Sequence, residues 1–443
     1  MTNQERTSVN NGKFETDRHG WAELLPPRQA TSPLEGEHRA DWAVVGAGVT
    51  GLAAARQLAE NRPDQKIVVL DAREIGQGAS GRNSGYAVAV SHFGGGFARQ
   101  KIDEYRRVNR INQAGLTLLR ERIETNSIAC QWREQGFYHA AADNRSQAEC
   151  DHFLEYLSAL EVAHTPLSSD ELADRLGTIA YKGGVHVHQG ALVQPAALVR
   201  GLADTLPANV QLHENSPVLN IDRSTPLRLM TSGGALSADN VLLATNFEAP
   251  KLGFLARRLS ASTLTGSFTR ILSEEERASL GSLADWGVLS LHGGGATVRL
   301  TVDGRISLRN TAEYNGGKLL DAAQLKQRQA VHRESFERRF PQLAHVPFEF
   351  AWSGVEGISR NSTNFFSKAA KNIFIAGGYN GSGVSRGTAF GHALADYACG
   401  DDTDLIRDCL ASAPATWIPP RPLVDIGAYF TVKKRFRGVG LDR

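Results

Sequence analysis

Apolar positions along the chain alternate between two periods, and the changes of period mark out its elements. The runs 43–45 and 67–70 (Ala43-Val44-Val45 and Ile67-Val68-Val69-Leu70) are short and unbroken, as in strands buried on both faces. Between them, 49 to about 60 reads as a helix. From 100 to 127, Ile102, Tyr105, Val108, Ile111, Leu116, Leu119 and Ile123 recur at threes and fours, which predicts a long amphipathic helix. A further helical pattern covers about 145–161, after a strand-like stretch at 130–139. Another covers 192–206, introduced by Gln194-Pro195, where proline suits a helix start. Strand-like segments follow at 210–214, 218–223, 227–231 and 240–245, then at 287–291, 297–302 and 305–308. A helix is expected over 321–339, short strands at 348–352 and 372–376, and a helix over 388–399.

Strands and helices alternate at both ends while antiparallel-looking strands fill the middle. The expectation is an α/β chain, α+β as a whole, in which a parallel nucleotide-binding sheet is interrupted by a second domain. Residues 1–38 read as a polar, proline-bearing arm pinned by Trp21 and Leu24-Leu25-Pro26-Pro27.

Composition narrows the chemistry. At 443 residues the chain accommodates two domains. Lys and Arg exceed Asp and Glu by 49 against 47, so no global field argues for nucleic acid or an anionic surface. The 44 glycines cluster where backbone would turn sharply or approach a ligand. The four cysteines are scattered, so neither a metal site nor a thiol redox motif is expected. With no apolar leader and no long apolar run, a cytoplasmic location without an integral membrane segment is expected.

Three glycine-rich segments carry the chemistry. Gly46-Ala47-Gly48-Val49-Thr50-Gly51 stands between strand and helix at the spacing that binds a dinucleotide pyrophosphate. Asp71, twenty residues beyond Gly51, ends the second strand where a carboxylate meets ribose hydroxyls. Gly76-Gln77-Gly78-Ala79-Ser80-Gly81-Arg82-Asn83-Ser84-Gly85 follows directly; small residues with one cation suit a second phosphate and a planar ring. Far downstream, Gly377-Gly378-Tyr379-Asn380-Gly381-Ser382-Gly383-Val384 is again a strand, a glycine turn and a helix start. A helix N-terminus there stabilises negative charge on a reduced flavin. The first unit alone permits an NAD-dependent dehydrogenase; the later segments weigh toward a flavin.

Together with Leu243-Ala244-Thr245-Asn246, these segments resemble the D-amino-acid oxidase superfamily of flavoproteins, in the branch of γ-glutamylputrescine and L-pipecolate oxidases. The Gly-Ala-Ser-Gly-Arg-Asn-Ser-Gly wording and the arm favour that branch. The resemblance implies a glutathione-reductase-like FAD-binding Rossmann domain (39–100, 186–250 and 345–400) with an inserted mixed-sheet substrate domain (101–185 and 251–344), followed by a tail at 401–443. It implies FAD held by the glycine segments, Asp71, Ala72, Arg73, Val218 and Ala244 to Asn246. Three departures are visible: Asp71 replaces the usual Glu, no cysteine lies between Arg305 and Phe366, and Val384-Ser385-Arg386 stands where sarcosine-oxidase-like relatives place a lysine. FAD is therefore expected to be non-covalent.

The implied reaction takes a hydride from the carbon beside an amine to flavin N5, giving an imine that water hydrolyses. The implied partners are a small-molecule amine and O2, yielding H2O2, or another acceptor such as a quinone. A flavin-binding subunit without its own turnover is the other reading. On the substrate side Tyr86, Arg309, Trp352 and Tyr379 are the catalytic candidates. His92, Tyr314 and Arg360 are weaker ones.

Overall fold

The computed structural model of the chain describes residues 18–91 and 97–443. An eight-stranded sheet is built on parallel neighbours, in the order Ile373–Gly377, Gly234–Leu243, Gly36–Val45, Ile67–Leu70 and Val210–His213. Its central strands are apolar on both faces because both faces are covered. Val44, Ile67 and Val69 pack under the helices Val49–Asn61 and Gly383–Cys399. Ala43, Val45, Val68 and Leu70 pack against the 220–230 hairpin and Ala249 and Phe254. The two helices approach closely through glycine: a Cβ on Gly391 would stand 2.0 Å from the Thr50 carbonyl oxygen. That contact seats the start of the first helix against the second, and both helices begin just beyond the C-terminal ends of their strands, where an open α/β sheet binds its ligand.

A second sheet runs Phe348–Ile358, Ser260–Thr269, Ile306–Glu313, Thr297–Leu300, Trp286–Ser290, Phe137–Ala141, Gly183–Val187 and His164–Ser168. One face buries Tyr138, Val288, Val298, Leu300, Ile306 and Leu308 beneath Phe336 and Phe340 of the helix Ala322–Arg339. Strand alternation turns Trp352, Phe268, Arg309, Thr297, Arg299 and Gly287 to the opposite face, and the pairs Gly266↔Trp352, Gly266↔Arg309 and Thr297↔Arg309 align part of that set in one row. This face meets the first domain.

Two segments differ from expectation in their partners. The strand expected at 348–352 among the nucleotide-binding segments extends to Ile358 and forms the edge of the second sheet. The helix Ile102–Thr125, expected with the substrate segments, lies on the nucleotide-binding side, where a Cβ on Gly115 would meet the Ser385 carbonyl oxygen at 1.8 Å. Periodicity reports which face is buried, not against what. The strand expected at 130–139 is confined to Phe137–Ala141.

Trp21 and Arg28 are among the residues that fasten the arm. Trp21 packs edge-on to Phe268 at 4.6 Å, and its carbonyl accepts a bond from Gln194 Nε2 at 2.7 Å. Further along, Arg28 bonds both oxygens of the buried Glu214 at 2.7 Å. Glu214 also accepts backbone N–H bonds from Thr31 and Ile75, and so ties the arm to the start of the second glycine turn. Among the described residues no helix is long and apolar enough to cross a membrane.

Candidate active site

At the first turn Gly46 has φ +99°, and a Cβ there would lie 2.7 Å from the Ala244 carbonyl oxygen. A Cβ on Gly51 would lie 1.7 Å from the Gly46 carbonyl oxygen, so only glycine lets the helix start this close to the strand. Asp71 accepts N–H bonds from Ala47 at 2.7 Å and Arg73 at 2.9 Å, which fixes its carboxylate beside the turn. Burial pushes that carboxyl above the usual carboxylate range, against the opposing pull of the two donors.

The second turn repeats the first. Gly76-Gln77-Gly78-Ala79-Ser80-Gly81 has the same glycine spacing thirty residues later, a signal present in the sequence itself. Gly76 has φ +90°, and a Cβ on Gly81 would lie 2.1 Å from the Gly76 carbonyl oxygen, as Gly51 stands to Gly46. The turns meet: Ser80 Oγ accepts the Val49 N–H at 3.1 Å and lies 2.7 Å from the Cβ that Gly48 lacks.

Helix starts in this region are bare, as are those after His19, Lys101 and Pro422. The helices beginning after Gly48, Gly78 and Ser382 have no side-chain cap. By contrast Asp143, Ser168, Gln194, Ser273, Asp321 and Thr403 cap helices elsewhere with a side chain. Uncapped first-turn amides facing a groove suit an anionic ligand. The Thr245 hydroxyl, beside Gly46, is a buried oxygen with no protein partner among the described residues. The residues present therefore fit a dinucleotide cofactor: bare backbone at two meeting turns, an acid at Asp71 and an unsatisfied hydroxyl at Thr245.

Ala72 and Arg73 are exposed beyond Asp71, and the Asn215 and Ser216 amides bond back to the Arg73 and Asp71 carbonyls, leading the chain to Val218. Asn246 accepts the Gly378 N–H at 3.0 Å, joining the ends of two adjacent strands. Gly381, Ser382, Gly383 and Val384 form the third turn and the first residues of its helix, which starts at Gly383 rather than near 388.

Several polar side chains expected at the ligand are bonded within the fold. The Arg82 guanidinium donates to the Gln77 carbonyl at 2.8 Å and the Ser353 carbonyl at 2.9 Å, so it braces the turn against the second sheet. Asn83 bonds the Ala79 and Ser80 carbonyls and the Gly85 N–H, while Ser84 is half-buried between them. The Tyr86 hydroxyl donates to the Val298 carbonyl at 2.9 Å, and its ring packs on Phe137 at 5.2 Å; this buried phenol joins the two domains. Tyr379 turns back into the first domain, its hydroxyl 2.9 Å from Thr50 Oγ1. Burial raises both phenols above their ordinary range. Arg386 is buried on Asn112 Oδ1 at 3.0 Å, Tyr314 donates to Asp425 at 2.7 Å, and Arg360 is exposed in a turn. His92 lies outside the described residues.

Trp352 and Arg309 do share the face that closes over the turns. The Trp352 indole N–H donates to the Arg82 carbonyl at 3.1 Å, and Arg309 donates to Thr297 Oγ1 at 2.6 Å. Two residues unread in the sequence join them. Glu356, two alternations beyond Trp352, lies with Oε2 3.7 Å from the Cβ position of Gly381. Arg299 is fully buried, donates to the Gly85 and Val193 carbonyls, and keeps Nε and Nη2 without a protein acceptor among the described residues. Burial lowers its guanidinium to about 10. Strand parity placed both residues, and parity is readable only once the register is known.

A family model described as DAO, FAD dependent oxidoreductase, matches residues 41–397. Gamma-glutamylputrescine oxidoreductase of Escherichia coli (strain K12) is 28% identical over 423 residues, covering 89% of this chain and 93% of that protein. The probable oxidoreductase OrdL of Haemophilus influenzae is 27% identical over 401 residues, covering 84% and 86%. Among solved structures, glycine oxidase from Geobacillus kaustophilus superposes with TM-score 0.70 at 19% identity over 83% of this chain and 96% of that one. L-proline dehydrogenase from P. horikoshii gives 0.68 at 16% identity over 84% and 96%. These likenesses in structure concern the fold.

Proposed function

Because the chain belongs to the DAO family of FAD-dependent oxidoreductases, we propose that it oxidises the C–N bond of a secondary amine, amino acid or acylated polyamine to an imine, which water hydrolyses. The observation that carries this reading is one charged sheet face closing on the glycine turns. Trp352 touches the second turn through the Arg82 carbonyl, Glu356 reaches the third at Gly381, and Arg309 stands in the row of Trp352. The likeness to gamma-glutamylputrescine oxidoreductase supports an acylated polyamine within this class.

FAD, when bound, supplies the two-electron acceptor. Gly46 to Gly51 and Gly78 to Ser80 offer backbone to its diphosphate, Asp71 its ribose site, and Ala244 to Asn246 with Gly378 to Val384 the remaining backbone. Arg309 pairs with a carboxylate on the substrate, for which a guanidinium is suited by its fork of donors. Glu356 holds an ammonium group away from the reacting carbon. Trp352 and the apolar surface around it exclude water, and desolvation there favours the neutral form of the reacting amine, whose lone pair the oxidation needs. Positioning is the protein's main contribution, and no side-chain base is required.

The test is anaerobic mixing of the yellow holoenzyme with amines, N-methyl amino acids, pipecolate and γ-glutamylated polyamines. Bleaching by at least one of them is expected. Peroxide on readmission of air then marks an oxidase, and its absence a dehydrogenase serving a quinone or protein acceptor. A flavin that dithionite bleaches and no amine does would sink the proposal and leave a flavin-binding subunit.

A further inference from the structure

The helix Leu423–Arg437 lies on the outside of the second sheet, held from its inner side by the Tyr314 bond to Asp425. Its outer side is unlike the rest of the surface. Leu423, Ile426 and Phe430 are 60%, 53% and 63% exposed, and Lys433, Lys434 and Arg437 continue the same stripe as exposed cations. At about 100° per residue these six positions fall within an arc of about 100°. Tyr429 flanks it at 57% exposure, and Trp417, on the segment leading in, is 51% exposed. The opposite arc carries Val424, Ala428, Val432 and Phe436, all partly covered by the body. The helix thus has one apolar side turned inward and a second turned to water, where exposure of large side chains marks an interaction site.

We infer that this stripe docks the protein on an anionic lipid surface. The charge pattern selects the occupant. No acidic residue occurs between Asp425 and Asp442, whereas Lys433, Lys434, Arg435 and Arg437 fall within that interval. The helix therefore offers leucine, isoleucine and phenylalanine to an acyl boundary and lysine and arginine to headgroup phosphates. Aromatic residues at its margin suit the interface, where one end is apolar and the other wet. A packed protein interface would more naturally bury the apolar half and pair the basic half residue by residue. A lipid surface accepts both along one line.

Holoenzyme is sedimented with phosphatidylcholine vesicles and with vesicles containing about a quarter phosphatidylglycerol. Binding to the anionic vesicles is expected to exceed binding to the neutral ones by at least about tenfold and to fall as salt is raised. The double substitution Ile426→Glu with Phe430→Glu removes binding to both. Lys433→Glu with Lys434→Glu removes the preference for anionic lipid. Circular dichroism and flavin content, unchanged in both variants, exclude misfolding; if the apolar pair misfolds, the lysine pair alone decides. Equal binding to both vesicles, or none, overturns the inference. So does concentration-dependent self-association that the apolar pair abolishes, since a second copy would then cover the stripe, or capture by an acidic protein without lipid binding.

Discussion

Around Gly46, Gly76 and Gly378 the chain presents bare backbone, whereas along Phe348–Ile358 and Ile306–Glu313 it presents side chains. The backbone surface is specified by what is missing: a Cβ at Gly51 or Gly81 would stand 1.7 or 2.1 Å from a carbonyl oxygen. The side-chain surface is specified by what is present, namely Trp352, Arg309, Glu356 and Arg299 on one face of a sheet. Backbone contact recognises a feature shared by many ligands, the phosphate. Side chains distinguish one amine from another. The two halves should therefore fail in different ways.

The largest effect is expected from Gly51→Val. With no room for the Cβ, helix and strand separate, and the purified protein should lose at least about nine-tenths of its flavin absorbance. Full retention would show that the turn is looser than its geometry. Acid comes next and attacks the second sheet. His332 bonds Ser267 Oγ at 2.8 Å, and burial, together with the Arg309 and Arg328 guanidiniums, pushes its imidazole down to about 3. The unfolded chain takes up this proton near the ordinary value of 6.5, the native one only near 3. Stability should thus be flat above about pH 7 and fall through the interval down to about pH 3, by a few kcal/mol. His332→Gln should flatten that decline in chemical denaturation; an unchanged pH profile would assign the acid sensitivity elsewhere.

Substrate recognition should respond next. Glu356→Gln and Arg309→Met should each lower kcat/KM by about 100-fold, mostly through KM, with flavin content intact. Loss of flavin instead of substrate affinity would move these residues to the cofactor half. Asp71→Asn should weaken FAD about tenfold, measured by fluorescence on release, through loss of one charged acceptor. Smallest of all, Tyr86→Phe should cost about 1 kcal/mol of stability and leave kcat within about twofold, because the phenol is bonded to strand carbonyls. A kcat collapse would return Tyr86 to the chemistry.

Much of the cofactor half was legible without coordinates. Glycine spacing, flanking apolar runs and the acid at Asp71 are local signals, all within a few tens of residues. The repeat at Gly76 to Gly81 is equally local, and it specifies backbone geometry, whereas the neighbouring Arg82 and Asn83 suggest side-chain contacts. Tyr86 and Tyr379 show the limit of such local signals. Adjacency to a glycine turn in sequence does not say which way a ring points, and both rings point into protein, toward Val298 and Thr50. Glu356 and Arg299 carried no local mark at all.

The chain by itself determined a dinucleotide-type βαβ unit in a parallel sheet, because period, glycine position and a terminal acid act over one unit and need no distant partner. Tertiary structure alone decided which side chains face those turns. The face of a strand depends on register, and the register of Gly266 against Trp352 and Arg309 is set by pairings between segments far apart in sequence. It alone also decided that Leu423, Ile426 and Phe430 look outward, since an apolar helix position is buried or exposed only by what packs beside it.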